Sequence, residues 1–406
     1  LRALSDAAPH ALLVVDLAYT EYADDDLTRA ALDLPNAVVL RTLSKAWGLA
    51  GLRVGYALAA PGVVCALRAA GLPYAVSAPA VAAAAGALSR DEARTSAGVE
   101  RVRTERADLA GLLSSLGAEP LDSQANFVLA RFDNAPRVRT LLAGLGVGVR
   151  AFDKPEPLRD RLRITCPGDA ADFARLAHAL RTALAPQAVL LDMDGVIADV
   201  SRSYRAAIVR AAATYGVSIT REDIARAKAR GDANNDWVLT RRLLRERGVE
   251  APLDDVIARF EAVYQGTDGE PGLRETESLI PARATLDALR ARFPLAIVTG
   301  RPRRDAQRFL ERFGLADLFD ILICLEDAPS KPDPAPVRRA LEALGVERAW
   351  LVGDTVDDVR AARAAGVIPV GVPPPGEDPG ATTGVLLRAG AALVIDTLDQ
   401  LPETLP

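Results

Sequence analysis

Sulfur is scarce in this chain of 406 residues, which holds three cysteines and one methionine. Cys65, Cys166 and Cys324 are odd in number and far apart, so they suggest neither a disulfide framework nor a zinc cluster, and they fit a reducing cytoplasm. The one methionine is Met193, and Leu1 stands close to a strand-like run, so a fragment truncated at its N-terminus is expected. Leu1 to Pro9 lack the basic and apolar layout of a signal peptide. No apolar run reaches the roughly 18 residues of a membrane span, so no membrane partner is expected. The net charge is −5 with both signs interspersed, which argues against nucleic acid as the main partner. The two histidines, His10 and His178, are isolated and read as structural or solvated. Lysine occurs only at Lys45, Lys154, Lys228 and Lys331, against a large excess of arginine. A G+C-rich genome explains that bias, and a lysine that survives it is a candidate for chemistry.

What is present is ordinary globular material. Half the residues are apolar and 25% are charged, and the length predicts two or three domains of roughly 150 residues. Strand-like runs at Ala11–Asp16, Ala37–Arg41 and Val54–Leu58 precede helical patterns at Val63–Ala70, Pro79–Leu88 and Asp91–Leu116. Further strands are expected at Asn126–Arg131, Val147–Arg150 and Arg161–Thr165, with helices at Pro136–Leu145 and Asp169–Ala185. Ala185-Pro186-Gln187 reads as a linker. A second unit opens with the buried strand Ala188–Leu191, and Ser201–Leu279 then reads as wholly helical. Strands return at Leu295–Val298, Ile321–Cys324, Ala349–Val352, Ile368–Val372 and Ala392–Ile395, separated by helices. That alternation implies parallel βαβ units in an α/β fold.

Ligands of an open parallel sheet sit at the C-terminal ends of its strands. Four expected strand ends here are polar: Asp192 and Asp194 after Leu191, Thr299 and Gly300 after Val298, Lys331 in the loop after Cys324, and Asp354 and Asp358 after Val352. A carboxylate can attack phosphorus, and a second one two residues on can protonate the leaving oxygen. A hydroxyl and an ammonium can bind phosphoryl oxygens, and further carboxylates can hold Mg²⁺.

The segments LLDMDGVIAD, IVTG, SKPDP and LVGDTVDDV, in that order, resemble the haloacid dehalogenase superfamily (subfamily IA) from about Gln187 to Leu405. The resemblance implies a Rossmann-like core at 186–200 and 280–406, with a helical cap at 201–279. It makes Asp192 the nucleophile and a metal ligand, and Asp194 the general acid/base whose main-chain carbonyl also binds metal. It assigns Thr299, Gly300 and Lys331 to phosphate, and Asp354 and Asp358 to the metal. Asp194 turns the reading from dehalogenase toward phosphatase, with phosphomutase left open. In the cap, Asn234-Asn235-Asp236-Trp237 reads either as a substrate-reading cluster or as a helix cap.

In the first half, Lys45 follows a strand and two hydroxyls, Thr42 and Ser44, and Arg53 lies eight residues on. An amine with such neighbours suits a phosphorylated aldehyde. The segments LVVDLAYTEY, RTLSKAWGLAGLRVGYALA, SQANFVLARF and LRITCPG resemble histidinol-phosphate aminotransferase, a pyridoxal-phosphate enzyme of aspartate-aminotransferase-like fold (fold type I). The resemblance implies a partial large domain at 1–75 and a small domain at 76–185. It makes Lys45 the Schiff-base lysine, pairs Asp16 with the pyridine nitrogen and Tyr19 with the phenolic oxygen, and gives Thr42, Ser44 and Arg53 to the cofactor phosphate. Arg163 is assigned to the substrate carboxylate end, and a homodimer through this region is expected. The family's N-terminal portion has no counterpart here, so pyridoxal phosphate is expected to bind poorly.

The fusion suggests a Mg²⁺-dependent cytoplasmic phosphatase of histidine biosynthesis, with histidinol phosphate as candidate substrate. The alternatives are a phosphoglycolate-phosphatase-like hydrolase of another small ester, and a first half that serves only as a docking or oligomerisation module.

Overall fold

The computed structural model describes every residue except Asp91 and Asp268. It divides into two compact units, 1–135 with 149–177, and 136–148 with 178–406. The helix expected from Asp91 runs over Glu92–Ser115, and Asp91 itself lies outside the described residues. Among the described residues no helix is long and apolar enough to cross a membrane.

The first unit holds two sheets. β1 (Leu13–Asp16), β2 (Ala37–Thr42) and β3 (Gly55–Ala59) lie in that order, the first pair parallel and the second antiparallel. Val15 and Val39 pack under Ala31 on one face, while Val14, Leu40 and Tyr56 are exposed. The second sheet runs in the order β4 (Glu119–Pro120), β5 (Phe127–Arg131), β7 (Arg161–Thr165) and β6 (Arg150–Ala151), all antiparallel. Along β5 and β7 buried residues alternate with half-buried or exposed ones, as expected of a sheet with one covered face.

The strand expected at Val147–Arg150 starts later, at Arg150. Val147 is still closing the preceding helix, its N–H bonded to the Leu142 carbonyl at 2.9 Å.

The second unit is built on a parallel six-stranded sheet. Its order is β14 (Ile321–Ile323), β13 (Leu295–Val298), β8 (Ala188–Leu191), β15 (Ala349–Gly353), β16 (Ile368–Gly371) and β17 (Leu393–Val394). Every residue of β8, β13, β15 and β16 is buried, which is why their sequences read as unbroken apolar runs rather than alternating ones. β8 comes first in sequence and lies centrally, with β13 on one side and β15 on the other. The winding therefore reverses beside β8, and a crevice opens at its C-terminal end.

This unit also takes in residues that precede the expected linker. Trp350 on β15 is fully buried and donates its indole N–H to the Thr182 carbonyl at 3.0 Å. The helix Ala170–Leu184 therefore enters the second unit from His178 onward.

The 201–279 insertion leaves and returns through a short antiparallel pair, β9 (Ala198–Asp199) with β12 (Ser278–Leu279). Four helices follow one another, at Tyr204–Ala213, Arg221–Arg230, Asp236–Glu246 and Leu253–Gln265. They close on a cluster in which the Tyr204 and Tyr264 rings lie 4.3 Å apart beside Phe260. The wholly helical expectation fails at the end of the insertion. Gly266 stops the last helix with a φ of 86°, and a pair of two-residue strands follows, β10 (Gly266–Thr267) with β11 (Glu270–Pro271). Asp268, within that expected helix, lies outside the described residues.

Candidate active site

The C-terminal end of β8 continues its ladder one residue further, with the Asp192 N–H bonded to the Val352 carbonyl at 2.8 Å. The chain then turns sharply. The Ile197 and Ala198 N–H groups both bond the Met193 carbonyl, and Gly195 takes a φ of 79°. That turn sends the Asp192 and Asp194 side chains to different partners.

Asp192 meets Lys331. The Lys331 ammonium lies 2.8 Å from Asp192 Oδ1 and 2.8 Å from the Val298 carbonyl, and it also pairs with Asp358. Asp358 sits at the third position of the helix Val356–Ala365. Its Oδ2 accepts from the Thr355 N–H at 3.0 Å and from the Thr355 hydroxyl, a capping box that fixes the side chain. Carboxylate oxygens of Asp192, Asp354 and Asp358 all lie within 4.8 Å of one another, and all three residues are buried.

Burial pushes the Asp192 carboxyl up to about 7, with Asp358 and Asp194 adding to the push and Lys331 opposing it. Burial, then Asp358 and Asp192, drive Asp354 upward as well. Lys331 is raised despite its own burial, because Asp192 and Asp358 favour the charged ammonium. Asp354 Oδ1 is buried and has no hydrogen-bond partner among the described residues. Three crowded carboxylates, one ammonium and an orphaned carboxylate oxygen form a donor set that fits a hard divalent cation such as Mg²⁺.

Asp194 stands apart from this trio. Its Oδ1 accepts from Arg301 Nε, and Arg301 forks onto Glu277 with its other nitrogens. Thr299 continues from β13, its N–H bonded to the Ile323 carbonyl at 2.9 Å and its hydroxyl accepting from the Arg301 N–H at 3.2 Å. Gly300 faces the insertion, since a Cβ built there would stand 2.6 Å from the Asn234 carbonyl. A cavity beside Asp194 is walled by Tyr204, Asn234, Asp236, Trp237 and Arg301. Asn235 is the helix cap, accepting from the N–H groups of Trp237 and Val238, so the Asn234–Trp237 cluster both caps a helix and lines the cavity. On the Asp354 side a groove of about 210 Å³ is lined by Arg205, Lys228 and Glu377. Arg205 pairs with Glu377 and reaches to 3.6 Å from Asp354 Oδ2.

The residues singled out in the first half all fall in the first unit. The Lys45 ammonium lies 5.2 Å over the Tyr19 ring. Tyr19 packs edge-on against Phe127 at 5.6 Å, and the Arg163 guanidinium covers Phe127 at 4.9 Å. The Thr42 hydroxyl accepts the Ser44 N–H at 3.1 Å, Arg53 donates to the Ala50 carbonyl at 3.1 Å, and Asp16 Oδ1 accepts the Ala18 N–H at 3.0 Å. Thr42 ends β2 and Ser44 and Lys45 follow it directly, while the Lys45 ammonium turns to Tyr19 and the Arg53 guanidinium to the Ala50 carbonyl.

Comparison with known proteins separates the same two stretches. Residues 186–366 match the haloacid dehalogenase-like hydrolase family, and residues 1–180 match aminotransferase class I and II. The chain is a fusion of segments from these two families. Imidazoleglycerol-phosphate dehydratase of Phytophthora nicotianae is 47% identical over 237 residues, covering 54% of this chain and 52% of that protein. Histidinol-phosphate aminotransferase of Pectobacterium carotovorum subsp. carotovorum is 38% identical over 183 residues, covering 44% of this chain and 51% of that protein. The solved histidinol-phosphate aminotransferase of Sinorhizobium meliloti, in complex with pyridoxal-5'-phosphate, is 32% identical with a TM-score of 0.40, covering 44% of this chain and 51% of that one. The chain spans about half the length of the curated relatives it matches.

Within the hydrolase segment, four groups escaped the sequence reading. Arg301 directly follows the IVTG motif and could have been noticed there. Asp357 lies inside the LVGDTVDDV motif and could have been noticed there too, whereas Glu277 and Arg205 carry no local signal, because their partners lie far off in sequence.

Proposed function

We propose that the hydrolase segment is a Mg²⁺-dependent phosphomonoesterase with Asp192 as nucleophile. The supporting observation is the meeting of Lys331, Asp358 and Asp354 around Asp192 at the switch point of the parallel sheet. Asp192 Oδ attacks phosphorus and the bond from phosphorus to the ester oxygen breaks, leaving an aspartyl-phosphate. Asp194 gives its proton to the departing alkoxide, then takes one from the water that hydrolyses the intermediate. Lys331 holds Asp192 in place, and with Thr299 and Gly300 it binds the transferring phosphoryl oxygens. Asp192, Asp354, Asp358 and the Asp194 carbonyl are the groups that would hold Mg²⁺. When bound, the ion neutralises charge on the phosphoryl group.

The substrate reading is histidinol phosphate, within histidine biosynthesis. It is supported by the fusion to an aminotransferase segment. It is supported too by two relatives named for histidinol phosphate and imidazoleglycerol phosphate, both phosphate esters of imidazole-bearing alcohols. The cavity beside Asp194 offers the Asp236 carboxylate and the Trp237 ring to such a group. Phosphate release from histidinol phosphate, phosphoglycolate and p-nitrophenyl phosphate, with Mg²⁺ and with EDTA, tests both parts. Fast turnover of phosphoglycolate beside indifference to histidinol phosphate overturns the substrate. Asp192→Asn with activity like the wild type overturns the nucleophile.

For the aminotransferase segment, Lys45 is the residue to hold pyridoxal phosphate. Asp16 and Tyr19 would meet its ring, Thr42, Ser44 and Arg53 its phosphate, and Arg163 a substrate carboxylate. The cofactor supplies electron withdrawal from the carbon it carries. The segments are 1–75 and 76–185 for the aminotransferase, 186–200 and 280–406 for the hydrolase core, and 201–279 for its cap, with a homodimer formed through the first. Three free cysteines support a cytoplasmic setting. Because the family's N-terminal portion has no counterpart here, adding pyridoxal phosphate is expected to give only a weak visible absorption band, lost in Lys45→Ala, and the absence of any band favours a docking module.

A further inference from the structure

Arg301 is 1% exposed, and its guanidinium has carboxylates on two edges. Nη1 lies 3.0 Å from Glu277 Oε2 and Nη2 lies 3.3 Å from Glu277 Oε1, while Nε bonds Asp194 Oδ1. The Tyr204 ring lies 4.9 Å from the guanidinium carbon and the Phe309 ring 5.4 Å. A planar fork so enclosed has no freedom to turn, so the position of Glu277 dictates the direction in which Nε points.

Glu277 is itself fixed by the insertion. It precedes β12, the strand on which the chain returns to the core. Its Oε1 accepts the Ser203 hydroxyl at 2.8 Å and the Tyr264 hydroxyl at 3.1 Å, from residues at the start of the first insertion helix and the end of the last. The seating of the insertion is thus relayed through Glu277 and Arg301 to one oxygen of Asp194.

We propose that Arg301, held by Glu277, is a positioning residue that aims the Asp194 carboxyl at the leaving oxygen and ties that aim to the seating of the cap. This rests on the reading of Asp194 as proton donor. Arg301 takes Oδ1, which leaves Oδ2 to meet the substrate. A proton donor must stand within hydrogen-bond reach of the atom it serves, and a small misplacement costs rate without costing binding.

Leaving-group dependence tests the inference. A misaimed Asp194 slows esters whose alkoxide needs a proton and hardly touches p-nitrophenyl phosphate, whose phenolate leaves unaided. Arg301→Lys keeps the charge but cannot bridge both carboxylates. It is expected to lower kcat on glycerol 2-phosphate by about 100-fold, to change p-nitrophenyl phosphate turnover only by about fivefold or less, and to leave KM nearly unchanged. Glu277→Gln, which keeps the side-chain shape, should show the same pattern more weakly, and it decides the matter if Arg301→Lys does not fold. Equal losses on both esters, or no loss, in a variant with wild-type Tm overturn the inference. Asp194→Asn serves as the reference. Leaving-group dependence in Asp194→Asn but not in the Arg301 and Glu277 variants overturns the inference alone. Its absence in Asp194→Asn overturns the proton-donor reading as well.

Discussion

A Cβ placed on Gly195 would stand 2.4 Å from Asp354 Oδ2 and 2.7 Å from its carboxyl carbon. Gly195 also holds a φ of 79°, where a side chain is strained by about 1–3 kcal/mol. Glycine is therefore required twice, by the turn after β8 and by the carboxylate lying against it. Gly195→Ala should displace Asp354 and raise the Mg²⁺ concentration for half-maximal activity by about 10- to 100-fold. A metal titration of activity beside a thermal melt separates the two effects. An unchanged metal titration would show that Asp354 does not hold the ion.

Lys331 shares its ammonium between Asp192 and Asp358 inside the crevice. Removing one partner of a buried ion pair costs about 3–5 kcal/mol, because the other charge is left uncompensated. Lys331→Met should therefore lower Tm as well as abolish turnover. The variant is expected to regain more Tm on adding Mg²⁺ than the wild type does, since the freed carboxylates bind cation more tightly in the folded state. Melts with and without Mg²⁺ measure this directly.

The four strand-end motifs were legible because a buried parallel strand writes itself as a short apolar run, and the polar residue that ends it stands out. Asp192, Lys331, Asp354 and Asp358 could be placed together on that basis. Arg301 and Glu277 could not, because their pairing spans 24 residues and depends on where the insertion returns to the core. The end of the insertion was misread for a local reason: Gly266 and Gly272 outweigh the helical pattern before them. Nothing in the sequence of His178–Leu184 tells that Trp350 will bond the Thr182 carbonyl.

Asp223 gives the insertion a pH-dependent stability. The Thr220 N–H, with Arg226, Arg247 and the Thr220 hydroxyl, lowers its carboxyl to about 2 in the folded protein, against the upward pull of burial. The folded value lies below the unfolded one, near 3.9. The contribution is thus fully present above about pH 4 and is lost as the pH falls from there toward 2. Asp223→Asn should lower Tm at pH 6 and leave the gap between variant and wild type shrinking as the pH drops below about 4. A gap that stays constant down to pH 3 would show that the charge of Asp223 is not what stabilises the helix.

Asp357, 1% exposed on the helix Val356–Ala365, accepts the N–H groups of Asp232 at 3.0 Å and Ala233 at 2.9 Å. A single carboxylate of the core thereby holds the loop that leads into Asn234–Trp237, which walls the cavity beside Asp194. Asp357→Ala leaves the buried Ala233 N–H unsatisfied, at about 1–3 kcal/mol, and releases the part-buried Asp232 N–H as well. The loop should loosen before the core does, because the bonds lost are at the end of an insertion helix. The expected outcome is faster amide exchange at Asp232 and Ala233, with KM for the phosphate ester raised by about tenfold, equivalent to about 1.4 kcal/mol of binding, and a smaller change in kcat. Faster exchange with an unchanged KM would mean that the Asn234–Trp237 wall does not touch the substrate.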